Sequence, residues 1–110
     1  MSRSDWAKLS KILKPGTQND LIAFRIVVRS QDDCYRALNT IHRLFEPEPF
    51  RFKDYIAKPK SNGYQSLHTS VRTHDEFVFE VQIRTVEMHH AAENGAAAHW
   101  RYRSRKSIRV

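Results

Sequence analysis

The chain of 110 residues predicts an α/β domain, a mixed β-sheet flanked by helices, on three observations. Residues 21 to 29, "LIAFRIVVR", form a nearly unbroken apolar run rich in β-branched residues. That is the pattern of a strand covered on both faces, and so of a central one. Behind Ser30 and Asp33, which suit a helix cap and first turn, Cys34, Ala37, Leu38, Ile41, Leu44 and Phe45 recur at helical spacing. Farther on, "SLHTSVR" (66 to 72) and "EFVFEVQIRT" (76 to 85) are β-type runs separated by "THD", which reads as a hairpin.

The opening stretch, "MSRSDWAKLSKILKPG", reads as a helix fragment that starts abruptly, and the strand follows it. A helix of about four turns comes next. Pro47 and Pro49 end it, because proline lacks a backbone donor and restricts the residue before it. A loop and the hairpin follow. Thr85 can then cap a last helix reaching Trp100, with Gly95 as its weak point. The basic "RYRSRKSIRV" closes the chain, and both ends are expected to be cut from a larger unit.

A chain this short holds one core, and 40% hydrophobic residues suffice to pack it despite 28% charged ones. Cys34 is the only cysteine, which excludes an internal disulfide and a multi-cysteine metal site. With no run long enough for a membrane span or a signal-peptide core, a cytoplasmic setting is expected. Nineteen Lys and Arg against 12 Asp and Glu give a net charge of +7, favouring polyanionic partners such as nucleotides or nucleic acid.

In the second hairpin run, alternation places Val78, Glu80, Gln82 and Arg84 on one face and Phe77, Phe79, Val81 and Ile83 on the other. Asp20 precedes the central strand, and Glu80 lies on a strand that can neighbour it. Two carboxylates brought together in a basic chain can hold Mg²⁺ beside phosphates. Taken by spacing alone, the pair reads more readily as a turn residue after "GTQN" and an exposed strand residue. The loop "KPKSNGYQSLH" (58 to 68) has the same two readings. Tyr64 offers a ring for base stacking, Asn62 can read a base edge, Lys60 and His68 reach phosphate, and Gly63 allows close backbone approach. Alternatively "SNG" is turn chemistry and Tyr64 is core.

The stretches "DLIAFRIV", "DCYRALNTIHRLFEPEPFRFKDYIAKPKSNGYQSLHTSV" and "FEVQIRTVEMHHAAENGAAAHWRY" resemble, in order and separation, the synthetase domain of the RelA/SpoT family, across residues 20 to 103. The resemblance implies a nucleotidyltransferase-like fold. It also implies transfer of pyrophosphate from ATP to the 3′-hydroxyl of GDP or GTP with release of AMP, making the alarmone (p)ppGpp. By position, Asp20 and Glu80 resemble the Mg²⁺ carboxylates, with Glu80 also the base. Tyr64 resembles the residue stacked on guanine and Asn62 the one reading its edge, while Lys53, Lys60 and His68 match those near the guanosine phosphates. Gln82 and Arg84 complete the "EVQIRT" face. Ribosome or tRNA contacts are implied only through other domains of a parent chain.

"RFKD" (51 to 54) resembles the basic form of a motif that accompanies bifunctional synthetase/hydrolase members; read from the residues alone, it is a solvated charge run at a strand edge. Phe50 stands where the family usually has glycine, and Asn94 where it has an aromatic. Of the family's basic ATP-gripping segment, "SDWAKL" matches only the tail, so Lys8 is the ATP contact expected here and most of the donor site is expected upstream. His89 and Glu93, one helical turn apart, are read as packing rather than metal ligands, His74 and Asp75 as a hairpin turn, and Cys34 as core. A basic RNA-binding module and a catalytically inert or regulatory nucleotide-binding fragment are the competing function classes.

Overall fold

The structure is a computed structural model that describes residues 7–12 and 22–94. In chain order its elements are β1 (Ala7–Ile12), β2 (Ile22–Val28), α1 (Gln31–Leu44), β3 (Glu46–Pro47), β4 (Lys53–Asp54), β5 (Leu67–Arg72), β6 (Val78–Thr85) and α2 (Val86–Asn94). The strands make one mixed sheet in the order β1-β2-β6-β5-β3, with β4 also paired to β5. Only the β2–β6 pair is parallel among these strands, its crossover containing α1; the other pairs are antiparallel. The expected mixed α/β architecture is therefore present, with β2 paired on both sides.

The opening stretch is the clearest departure. Where a helix fragment was expected, Ala7–Ile12 is a strand, paired from Ala7↔Val28 to Ile12↔Ala23. Without it, one edge of β2 would expose a row of unpaired backbone groups, and strand pairing satisfies them. The apolar residues of "AKLSKI" fit either period, and the ladder on offer from β2 decides between them. Lys8 and Lys11 suit an edge, since charged side chains discourage further pairing.

α1 begins where the sequence indicates. The Ser30 hydroxyl accepts from the backbone N–H of Asp33 at 3.1 Å, and Asp32 and Asp33 supply negative charge to the first turn. It ends at Leu44, with extended backbone at Phe45 just before Pro47. Cys34 and Leu38 bury its apolar face against Val28, Leu67, Val71, Phe79, Val81 and Ile83. Phe79 meets Phe24 and Phe45 edge-on, at ring-centroid distances of 5.6 and 5.2 Å. Burial, aided by the charges of Asp33 and Asp54, pushes the Cys34 thiol up to about 12, as suits an inert core cysteine.

Two short strands occupy what reads in sequence as loop. β3 pairs with the Val71–Arg72 end of β5, and β4 with its Leu67–His68 end, so the segment between them arches along the β5 edge. Phe50 lies in this arch at φ 64°, a left-handed conformation, with its side chain 99% exposed. Left-handed backbone is unfavourable for a bulky residue and natural for glycine. Phe50→Gly is expected to stabilise the fold by about 1 kcal/mol, the steric relief exceeding glycine's extra chain entropy. Urea unfolding of both forms checks this; an unchanged or lower midpoint contradicts it.

Candidate functional site: the polar face of the sheet

Helix α1 covers one face of the sheet. The opposite face carries a polar row assembled from five strands: Ser10 of β1 is paired with Arg25 of β2, Arg25 with Gln82 of β6, Gln82 with His68 of β5, and His68 with Lys53 of β4. Paired residues share a face, so these positions form one line across the sheet. Beside it, Glu80 stands between Ala23 and Ser70, and Arg84 is paired with Val27, which is itself opposite Lys8. Glu80 is partly exposed between these small neighbours, with Gln82 Nε2 3.4 Å from its Oε1. The alternation expected for 78 to 84 thus holds. Gln82 and Arg84 are more deeply buried than a solvent-facing row implies, at 9% and 2% exposure.

Loop 58 to 66 closes over one end of this row. The Gly63 N–H donates to Lys60 O at 2.8 Å, and Lys60 N–H to Tyr64 O at 3.1 Å. Gly63 sits at φ 89°, where a side chain would be strained. Asn62 Oδ1 accepts from the backbone N–H of Tyr64 at 3.0 Å, so "SNG" does supply turn chemistry and half of the Asn62 amide is used in shaping its own loop. Tyr64 is half-buried rather than core. Its hydroxyl lies 2.8 Å from His68 Nε2, and its ring meets Tyr55 and His68 edge-on at 6.1 and 5.6 Å. Lys60 Nζ stands 5.2 Å from the centroid of Tyr55.

"RFKD" divides by strand alternation. Lys53 belongs to the polar row, whereas Asp54 points into structure: its carboxylate accepts from Ile56 N–H (3.0 Å), Ala57 N–H (2.9 Å) and the Tyr35 hydroxyl (2.9 Å). Burial, then the hydrogen bond to Asp54 and the charges of Asp54 and Cys34, push the Tyr35 phenol up to about 12. Only part of the motif is therefore a solvated charge run; its aspartate ties β4 to α1.

α2 starts immediately after β6, with Thr85 Oγ1 accepting from Met88 N–H at 3.0 Å, the cap expected from sequence. The helix brings His89 and Glu93 onto Arg84: Nη2 lies 3.0 Å from His89 Nδ1 and 3.7 Å from a Glu93 carboxylate oxygen. The Arg84 guanidinium carbon is also 5.9 Å from the Tyr64 ring centroid. His89 and Glu93 thus hold an arginine rather than a metal.

His74 and Asp75 occupy the β5–β6 turn, closed by Thr73 N–H to Phe77 O at 2.9 Å. A hollow of about 670 Å³ lies beside that turn and the end of α1, lined by His42, Arg43, Arg72 and Glu76 among others, away from the polar row. Asp20, and the last turns predicted up to Trp100, lie outside the described residues. Sequence reading overlooked Tyr55, which packs on Tyr64 and His68, and Arg25, whose signal was its lone charge inside an apolar run.

A probable guanosine-3′,5′-bis(diphosphate) 3′-pyrophosphohydrolase of Synechocystis is 57% identical over 84 residues, 76% of this chain and 11% of that protein. A probable chloroplastic GTP diphosphokinase of Oryza sativa is 53% identical over 95 residues (86% and 13%), and a GTP pyrophosphokinase of Myxococcus xanthus 51% over 90 (82% and 12%). The chain spans little more than a tenth of the length of these relatives. In fold it is similar to the small alarmone synthetase 1 of Bacillus subtilis bound to its product pppGpp. The TM-score is 0.67 at 22% identity, covering 87% of this chain and 62% of that one. The profile described as "Region found in RelA / SpoT proteins" matches residues 3–107, and with relatives above 50% identity this chain belongs to the RelA/SpoT family.

Proposed function

We propose that this domain is the (p)ppGpp-synthesising part of its protein, moving pyrophosphate from ATP to the 3′-hydroxyl of GDP or GTP. The observation that carries the reading is Glu80, a partly exposed carboxylate on the polar face of the sheet, two residues along β6 from a row containing Arg25, His68 and Lys53. A carboxylate next to basic side chains suits a phosphorylated nucleotide presenting a hydroxyl.

In this arrangement Tyr64 stacks on guanine, the amide nitrogen of Asn62 reads its edge, and Lys60, Lys53 and His68 hold the guanosine phosphates. Glu80 takes the proton of the 3′-hydroxyl. The freed oxygen attacks the β-phosphorus of ATP, and the bond from that phosphorus to the α,β-bridging oxygen breaks, the oxygen leaving on AMP. Gln82 orients Glu80, and Arg84 supports the floor under Tyr64. Lys8, on the strand beyond Val27, faces the ATP side. Positioning and charge neutralisation are the main demands of such a transfer.

Mg²⁺ fits this site as an ion shared with substrate. Among the described residues no group of three or more His, Cys, Asp or Glu is gathered, and Mg²⁺ commonly takes one or two carboxylates plus phosphate oxygens. Glu80 is one such carboxylate, steadied by the Gln82 amide nitrogen 3.4 Å from its Oε1, and Asp20 is proposed as the second. When bound, the ion neutralises charge on the transferred phosphates. No helix among the described residues is long and apolar enough to cross a membrane, and a cytoplasmic enzyme is the proposed setting.

The test is to incubate the full-length protein with ATP, GDP and Mg²⁺, and separately with ppGpp. AMP and ppGpp forming together in the first reaction, and abolished by changes on the polar face, are expected. GDP binding without AMP release favours the inert, regulatory reading. Breakdown of ppGpp that depends on the polar face would overturn the proposal.

A further inference from the structure

Arg84 is 2% exposed and held from the α2 side by two residues a helical turn apart, His89 and Glu93, while its guanidinium faces the Tyr64 ring. Arginine can only donate, so the 3.0 Å contact from Nη2 requires a lone pair on His89 Nδ1, and the ring proton must sit on Nε2. His89 therefore serves Arg84 only as a neutral imidazole. We propose that His89 is a positioning residue: by accepting from Arg84 it fixes that guanidinium against Tyr64, so that the guanine-nucleotide face is formed only while His89 is unprotonated. The inference rests on the synthetase reading above and adds to it a residue and a pH response.

The surroundings favour that state. His89 is faced by Arg84 from β6, Arg25 from β2 and Lys8 from β1, with Glu93 of α2 the opposing charge. Burial first, then the cations Arg84, Arg25 and Lys8, lower its pKa against the smaller opposite pull of Glu93. With the folded value below the ordinary histidine value, the unfolded chain binds the extra proton more readily. The contribution of His89 to stability is then complete above its unfolded value and is lost as pH falls below it. Protonation turns the acceptor into a donor aimed at a donor, and Arg84 loses its support. GDP affinity is thus expected to be level through neutral pH and to fall on the acid side.

Two measurements test this. In the first, GDP binding is followed against pH for the wild type, His89→Ala and His89→Asn. Asparagine can place an amide oxygen near Nδ1 that does not titrate. His89→Ala is expected to weaken GDP binding by about tenfold at neutral pH, the scale for losing a hydrogen bond to a charged group. His89→Asn is expected to restore affinity and flatten the acid limb. An alanine variant with wild-type affinity, or an asparagine variant with the wild-type limb, overturns the proposal. The second measurement needs no nucleotide: nitrogen NMR of the wild type should show the Nε2–H tautomer at neutral pH, with Tyr64 ring signals shifting at the His89 midpoint. A protonated His89 at neutral pH, or Tyr64 signals blind to its titration, overturns the proposal even if the alanine variant does not fold. A wild type that binds no GDP while its Tyr64 and His89 signals titrate together defeats the synthetase reading and leaves the positioning contact standing.

Discussion

Glu80→Gln is expected to cut (p)ppGpp synthesis by about 10² to 10⁴-fold, the range for removing a positioned general base, while GDP still binds. Glutamine keeps the length of the side chain and its place between Ala23 and Ser70, so the sheet is undisturbed. The charge disappears, and with it both proton acceptance and a ligand for the proposed Mg²⁺. The loss should therefore fall on kcat more than on the KM for GDP. Steady-state AMP release with GDP titrated at saturating ATP separates the two. Near-normal turnover in a folded variant would place the base elsewhere.

Tyr64→Ala carries the second large effect. Base stacking on an aromatic side chain is worth about 1 to 3 kcal/mol, so GDP affinity should drop by roughly 5- to 150-fold. Because the Tyr64 hydroxyl also contacts His68 at 2.8 Å, Tyr64→Phe separates the two roles. Phenylalanine keeps the ring and should recover most of the affinity. Calorimetric titration with GDP is the measurement, with circular dichroism confirming that each variant folds. Equal affinity for the wild type and a folded alanine variant would refute the stacking role.

The elements legible from sequence are those whose signal is local. α1 has a cap residue, a periodic apolar face and terminating prolines between residues 30 and 49, and its observed start at Gln31 follows directly from Ser30. β6 alternates cleanly because one of its faces is core and the other is the candidate site. β1 was misread because a six-residue segment takes its conformation from the neighbour it pairs with, and β2 is separated from it in sequence. β3 and β4, two residues each, carry almost no periodicity and exist through pairing with β5. The same reason explains the site. Glu80, Gln82, Arg84 and Tyr64 could be picked out by residue type and by family likeness. The part played by Arg25, Tyr55, His89 and Glu93 depends on contacts between elements, which composition and spacing do not encode.

The strand order has a bearing on biogenesis. β6 is the last of the described strands to be synthesised, yet it lies in the middle of the sheet, between β2 and β5. Until residues 78 to 85 emerge, β2 and β5 each present an open edge, and no strand pairing joins the segment carrying Arg25 to the one carrying His68 and Lys53. Such edges can pair with other chains during that interval. Insertion of one strand then unites both halves of the sheet and delivers Glu80, Gln82 and Arg84 between them in the same event.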